Sequence, residues 1–385
     1  MHAGHGIRES RVYKKRSNEK ASIMTKAVNR ATYLDWAATA PLQPMAASAM
    51  ADAAARLAGG EWANPSSVHA PGRAARRALT GARDRIAAFF RVAPDAIIFT
   101  SGGTEALALA LNGADFTTRL VGATEHSAVH EAAPGATRIP VDADGRVQLP
   151  PIPEGAIVAI AQANNETGVV QDLGAIAETV HAAGARLVAD CVQSAGKRPL
   201  PPADFIAVSA HKLGGPAGVG ALIVRCKDGF RPIQKGGGQE QGWRGGTENL
   251  LGILGWAAAL DAWDAGFPAR AAALQQRLEQ QAIALGARVN GAGAPRLPTI
   301  SSLHLPGVPA ATQLMQLDMA GIAVSQGAAC SSGTLKSSAT LEAMGLPDAA
   351  RESLRVSTGW STTEADIDRF LAAWAPLAAR AAHAA

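Results

Sequence analysis

"ARLVADCVQSAGKRPLPPADFIAVSAHK" occupies residues 185–212. It holds two short apolar runs, 185–190 and 205–210, and each ends at a group with chemistry to offer. Asp190 closes the first run, and Lys212 follows the second. Neither run alternates apolar with polar residues, so each must be covered on both faces, as strands of a parallel sheet flanked by helices are. "AIIFT" (96–100), "AIVAIAQ" (156–162) and "GALIVR" (220–225) have the same character. Between two of them, "LGAIAETVHAAG" (173–184) sets Leu173, Ile176, Ala177 and Val180 on one helical face and ends at Gly184, a residue suited to a helix C-terminus. Strands alternating with helices predict an α/β fold with a mostly parallel central sheet.

In such sheets ligands bind beyond the carboxyl ends of the strands. Taken singly, Asp190 reads as a turn cap and Lys212 as a surface amine. Taken together, they stand at the ends of successive strands and can meet. "FTSGGTEALALALNG" (99–113) adds a strand, a small-residue turn and a helix. Gly103 and Thr104 there offer first-turn N–H groups and a hydroxyl to an anion such as phosphate. The turn is neither G-x-G-x-x-G nor a Walker loop, which disfavours a nucleotide. Gln193, Ser209 and His211 fall beside the same strand ends, "TEHSAV" (124–129) supplies His126, and "NNETG" (164–168) supplies two asparagines.

Pyridoxal 5'-phosphate is the cofactor this set suits. Its aldehyde needs a lysine, its pyridine nitrogen a carboxylate and its phosphate several donors. On this reading Lys212 forms the Schiff base, Asp190 keeps the ring nitrogen protonated, and His126 stacks on the ring. Gln193 and one of the asparagines hold the phenolic oxygen.

The 385 residues allow more than one domain. The formal charge of +4 misleads, because residues 1–30 carry eight Lys/Arg against two Glu, a surplus of six that leaves the remainder at −2. Residues 1–30 therefore read as a disordered basic extension, or as sequence upstream of a start at Met24, and the mildly acidic body gives no reason to expect nucleic acid. No apolar run approaches the roughly 20 residues of a membrane span. Three cysteines without metal-ligand spacing, and no secretory signal, predict a cytoplasmic protein. Cys191 and Cys226 end apolar runs and read as core, whereas Cys330 stands among small residues in "SQGAACSSGTLKSSA", as a mobile, reactive thiol would.

Near Gly291 the pattern changes. "GAGAPRLP" reads as a linker, followed by a strand in "TISSLHL" and a helix in "PAATQLMQLDMAG". A terminal helix carries an apolar stripe of Ile367, Phe370, Leu371 and Trp374, with Ser361 and Glu364 as its capping box. The expected organisation is a large cofactor domain over 31–294, whose first residues pack on the other unit, and a smaller α+β domain over 295–385 that carries the cysteine loop.

From about Tyr33 to Phe370 the chain resembles the cysteine desulfurases, pyridoxal-phosphate enzymes related to class V aminotransferases. "YLDWAATAP", "NPSSVH", "FTSGGTEA", "TEHSAV", "NNETGVVQD", "DCVQSAGK", "SAHK", "GPAGVGAL", "GGGQEQGWRGGTEN", "GAACSSGT" and "LRVSTGWSTTEADID" arrive in that family's order. The resemblance implies a fold-type I homodimer that converts L-cysteine to L-alanine, forms a persulfide on Cys330 and passes the sulfur to an acceptor such as an iron–sulfur scaffold protein. It implies that Lys212, Cys330 and His126 are catalytic and that Gly103, Thr104, Ser209 and His211 bind phosphate. Asp190, Gln193 and Asn165 then contact the ring, Thr247 reaches the partner subunit's phosphate, and Arg355, with Asn165, holds the substrate carboxylate. No resident metal is expected; Cys330 could ligate a cluster transiently. A selenocysteine lyase or cysteine-sulfinate-type β-lyase on the same scaffold is the alternative, and a sulfur-relay protein of low turnover a more distant one. Trp36 and Ala40, where the family has Asn and Thr, put substrate-side contacts in question, as Lys336 and Ser337 do the cysteine loop and Ala217 a usually polar position.

Overall fold

Period-two burial organises the large sheet. The computed structural model describes residues 31–113, 116, 118–327 and 337–384. Strand β1 (Thr32–Tyr33) is followed by helices α1 (Pro44–Ala58) and α2 (Ala70–Phe90), strand β2 (Ile97–Thr100), helix α3 (Gly103–Asn112), strand β3 (Arg119–Gly122), helix α4 (Ser127–Ala132) and strand β4 (Thr137–Ile139). Then come β5 (Ile157–Ala161), α5 (Leu173–Ala182), β6 (Arg186–Asp190), β7 (Phe205–Ser209), β8 (Gly220–Val224) and α6 (Leu250–Asp261). Seven strands form one sheet in the order β2-β8-β7-β6-β5-β3-β4.

Its two faces are both apolar. Phe99, Ile160, Leu187, Ile206 and Ile223 pack on the side of α2, α5 and α6. Ile98, Ala159, Val188, Phe205, Ala207 and Leu222 pack on the side of α3 and α4. Side chains alternate along a strand, so Asp190 continues the Val188 row and Ser209 the Phe205–Ala207 row. Both therefore emerge on the α3 side. The β3–β7 strands run parallel to their neighbours. β8 is the exception, antiparallel to both β7 and β2. A doubly buried run carries no mark of its direction, and the hairpin-like return from β7 through Gly214–Gly218 sets it.

The second core lies around a three-stranded antiparallel sheet of β9 (Arg288–Val289), β10 (Ile300–His304) and β12 (Ser353–Ser357). Helices α7 (Phe267–Ala284), α8 (Ala310–Met319) and α11 (Glu364–Ala384) cover it, and the short helices α9 (Ala339–Ala343) and α10 (Ala349–Glu352) lead into β12. Leu278, Leu303, Leu354, Phe370 and Trp374 are buried together there. This core also takes Leu34 from the start of the chain and Leu274 and Ala282 from α7, well before residue 295. β1 pairs in parallel with β11 (Ile322–Ala323), tying the first described residues to the same unit.

Two local expectations are corrected. The 291–298 stretch is not a free linker: Val170 N donates to Pro295 O, Leu297 N donates to Gly168 O, and Leu297 is fully buried. Arg296 is further held by Glu279 through two hydrogen bonds of 2.5 and 2.7 Å. The cap of α11 is made by Thr363 and Asp366, whose backbone N–H groups each donate to the other's side chain, rather than by Ser361 and Glu364. Either pair satisfies the capping-box spacing, and the bend at Gly359–Thr362 decides which is used. Among the described residues no helix is long and apolar enough to cross a membrane.

Candidate active site

A cavity of about 380 Å³ opens at the carboxyl ends of β5, β6 and β7, against the N-terminus of α3. That volume is in the range of small-molecule sites. Gly103, Thr104, His126, Asn165 and Asp190 line it, and so do Gln193, Ser209, His211, Lys212 and Arg355. Thr247 does not line it; it is exposed, on the segment that leads into α6. Cys330 and Lys336 fall outside the described residues, which stop at Gly327 and resume at Ser337.

Lys212 is placed by a short turn after β7. Leu213 N and Gly215 N both donate to Ala210 O, and Ala40 N donates to His211 O. The lysine side chain reaches back over residues 37–38, where Nζ donates to Ala37 O at 2.5 Å and to Ala38 O at 2.7 Å. Burial, reinforced by the Arg355 guanidinium, pushes its amine down to about 8, although Asp35 and Asp190 pull the other way. Asp190 ends β6 with Oδ1 accepting from Val192 N at 2.8 Å, so it is a turn cap as well as a cavity group. Burial holds its carboxyl above the usual carboxylate range, opposed by that hydrogen bond and by His126 and Lys212.

The α3 N-terminus supplies unpaired first-turn N–H groups. Gly103 is required by packing, since a Cβ there would meet Val192 Cγ2 at 2.5 Å. Gly220 serves the same turn from behind, because a Cβ on it would lie 2.7 Å from Gly102 Cα. His211 Nδ1 lies 3.1 Å from Thr39 Oγ1, and burial with the nearby Lys212 lowers its imidazole to about 4, so the ring is neutral at pH 7.

His126 caps α4. Its Nδ1 accepts from Ala128 N at 3.1 Å, so the ring's N–H is at Nε2. The two asparagines divide their work. Asn164 builds the turn, accepting at Oδ1 from Glu166 N and Thr167 N, while Asn165 lines the cavity. Arg355 is only 5% exposed, yet three of its groups differ in use. Nη1 donates to Asn165 O at 3.0 Å, Nη2 donates to Asp35 Oδ1 at 2.8 Å, and Nε is buried without a partner.

Several participants escaped the sequence reading. Asp35 holds Arg355, and Glu166, next after Asn165, donates its backbone N–H to Asn164 Oδ1. Glu125, which precedes His126, is 7% exposed with Oε2 unpaired; burial pushes its carboxyl up to about 8. Lys197 donates to Gln193 O at 2.8 Å, and burial with Lys212 nearby lowers its amine to about 7. Nothing in a single acidic or basic letter distinguishes these from surface charges; all four fall inside quoted motifs, "YLDWAATAP", "TEHSAV", "NNETGVVQD" and "DCVQSAGK", but no motif gave them a role. Trp36 and Ala40 correct an expectation. They line a small pocket behind Lys212, not the main cavity, and Trp36 meets Trp360 edge to face at 4.6 Å. Cys191 is buried and Cys226 half-buried, and among the described residues no cluster of His, Cys, Asp and Glu could hold a metal.

The cavity fits pyridoxal phosphate on its own chemistry. Gln193 Oε1 is buried and unpaired while Nε2 donates to Ala37 O at 2.8 Å, so the amide oxygen is left to accept a hydrogen bond from a hydroxyl of a bound group. An amine, a buried carboxylate and a helix N-terminus surround the same space.

Comparison with known proteins agrees. The profile of the class-V aminotransferases matches residues 32–370. A cysteine desulfurase of Cereibacter sphaeroides is 40% identical over 371 residues, covering 90% of this chain and 95% of that protein. A cysteine desulfurase of Frankia sp. (strain EuIK1) is 39% identical over 376 residues, covering 87% of this chain and 88% of its own. Among solved structures, a NifS-like protein superposes with a TM-score of 0.81 at 28% identity, over 91% of this chain and all of that one.

Proposed function

The chain belongs to the class-V aminotransferase family, among its cysteine desulfurases, and on that premise we propose how its residues divide the work of taking sulfur from L-cysteine. Bound pyridoxal phosphate supplies an aldehyde that condenses with amines and a ring that delocalises the electron pair left when a bond to the substrate α-carbon breaks. The observation that carries the assignment is that ten residues from separate segments, chosen from sequence, line one cavity.

Lys212 would hold the aldehyde carbon through Nζ. As a free amine, Nζ has lowered basicity and would suit taking the proton from the substrate α-carbon. Asp190 would bind the ring nitrogen, and its burial makes a shared proton there favourable. The N–H groups of Gly103 and Thr104, with the Thr104 and Ser209 hydroxyls and His211, would hold the phosphate. His126 would stack on the ring and offer Nε2–H to the substrate. Arg355 and Asn165 would receive the substrate carboxylate; the guanidinium fork suits it, and Nε has no partner to surrender.

Cys330 is the nucleophile in this reading. Its thiolate attacks the substrate sulfur; the S–S bond forms as the substrate's Cβ–S bond breaks. The bonding pair stays on that carbon and takes up one proton, so that alanine leaves and the substrate's sulfur atom remains on Cys330. A second copy of the chain would bring Thr247 to the phosphate, which suits a residue exposed and away from its own cavity. The working form is then a cytoplasmic homodimer that delivers sulfur to an acceptor such as an iron–sulfur scaffold protein, with residues 31–294 as cofactor unit and 295–385 as the unit bearing the cysteine.

Incubation with L-cysteine tests the proposal. Alanine and a sulfur adduct on Cys330 are expected together, both lost in Lys212→Ala. Cys330→Ser should abolish alanine formation from cysteine; persistence of activity on selenocysteine alone would point to a selenocysteine lyase.

A further inference from the structure

Glu166 touches both ends of the segment that carries Cys330. On one side its carboxylate accepts from Ser338 Oγ at 2.5 Å and from Thr340 Oγ1 at 3.1 Å. On the other side it packs on Gly327, where a Cβ would lie 3.0 Å from Glu166 Oε2 and 3.1 Å from its Cγ. Gly327 lines the main cavity and has a φ of +94°, so it is a fixed turn as well as a contact. Ser338 is completely buried, caps the helix Ala339–Ala343 by accepting from Leu341 N, and is anchored by its own N–H on Ala350 O. Cys330 follows Gly327 by three residues and precedes Ser338 by eight.

The turn that bears Glu166 is also bound to the substrate side. Asn164 Oδ1 accepts from Glu166 N at 2.9 Å, and the adjacent Asn165 accepts from Arg355 Nη1. One short turn thus joins the arginine, the cavity wall and both roots of the cysteine segment. Burial lifts the Glu166 carboxyl above its usual range, against the pull of Ser338, Thr340 and Arg355. A carboxylate withdrawn from water costs stability unless its hydrogen bonds offset it, and here Ser338 and Thr340 supply two.

We propose that Glu166 is a positioning residue for sulfur transfer: it fixes the two roots of the Cys330 segment relative to Arg355 and Asn165, and so sets where the nucleophile meets the bound substrate. This rests on Cys330 being that nucleophile. Each residue of chain spans at most about 3.5 Å, so a root three residues away strongly limits the reach of a thiol. Glu166 touches neither cofactor nor substrate in this reading, and its effect is on encounter geometry alone.

The test compares holoenzyme carrying Glu166→Ala, Glu166→Gln and Thr340→Val with the unaltered protein. Three readouts are taken: the visible cofactor band and its change on adding L-cysteine, kcat and KM for alanine formation, and the sulfur adduct on Cys330 by mass spectrometry. In Glu166→Ala the band and its response should be unchanged and KM should stay within about two-fold, while kcat and the rate of adduct formation fall about ten- to a hundred-fold, the scale of a misplaced reactant. Glu166→Gln, which can still accept from one hydroxyl, should recover most of the loss, and Thr340→Val should show part of it. Unchanged kcat in Glu166→Ala, or a loss that falls on cofactor binding or KM, would overturn the proposal. An unaltered protein that forms alanine without any adduct on Cys330 would instead refute the nucleophile assignment.

Discussion

Asp190 and Lys212 face one cavity from the carboxyl ends of parallel, hydrogen-bonded strands. Asp190 is the last residue of β6 and pairs in register with Ala207 of β7, and Lys212 follows the end of β7 by three residues. Each would favour the other's charge, yet burial outweighs that attraction at both: the amine is lowered and the carboxyl raised. The pair is thereby brought toward neutrality, which suits an amine that must act as nucleophile and base near pH 7.

The amine of Lys212 therefore titrates early. In the cofactor-free protein, the rate of covalent attachment of pyridoxal phosphate should rise with pH and level off above about 8. An ordinary lysine would keep gaining reactivity to about 10.4. Stopped-flow absorbance across pH 6–11 checks this, and a rate still climbing at pH 10 would count against the burial of Lys212.

Glu125 makes the opposite contribution to stability. Its carboxyl titrates near 8 in the folded chain against an ordinary 4.5, so between those values the folded state holds a proton that the unfolded state has released. Stability contributed by this group is complete below the unfolded value and is lost as pH rises through the folded one. Glu125→Gln, which keeps an acceptor for Ala161 N, should gain stability relative to the unaltered protein by a few kcal/mol between pH 4.5 and 8. Urea denaturation of both proteins at several pH values measures the difference. A difference that does not change with pH would show the carboxyl to be ionised throughout.

Arg355→Lys should separate substrate binding from cofactor binding. A lysine cannot contact Asp35, Asn165 O and a carboxylate as the guanidinium does. Loss of a charged hydrogen bond is worth about 1.5–3 kcal/mol, so KM for L-cysteine should rise roughly ten- to a hundred-fold. The visible cofactor band should stay as it is. Steady-state kinetics with parallel spectra decide, and an unchanged KM would remove Arg355 from the substrate site.

Trp36 has made Gly359 indispensable. A Cβ at position 359 would fall 1.9 Å from Trp36 Cε3. Gly359→Ala should cost about 3 kcal/mol through overpacking, and much less in a Trp36→Ala background, where space exists. A double-mutant cycle in denaturant reads the coupling directly; equal costs in both backgrounds would mean the ring moves aside freely.

Most of the sheet and most of the cavity were legible because they rest on local rules. Doubly apolar runs mark buried strands, and residues at their carboxyl ends meet by topology, which is how Asp190, Ser209 and Lys212 could be assembled from letters alone. The direction of β8 was not legible, since burial on both faces looks the same in either sense. Nor was the membership of α7 in the second core, because an amphipathic helix names its face but not its partner. Asp35, Glu125, Glu166 and Lys197 stayed hidden for a related reason: their role comes from burial by distant segments. Thr363 displaced Ser361 as a cap because a turn, not the spacing, chose between them.

The most direct measurement is to reduce the cofactor-loaded protein with borohydride and locate the pyridoxyl-bearing peptide by mass spectrometry. The adduct should be on Lys212 and nowhere else. An adduct on Lys197, whose amine is lowered further, to about 7, and lines the neighbouring pocket, would contradict the account, as would the absence of any adduct.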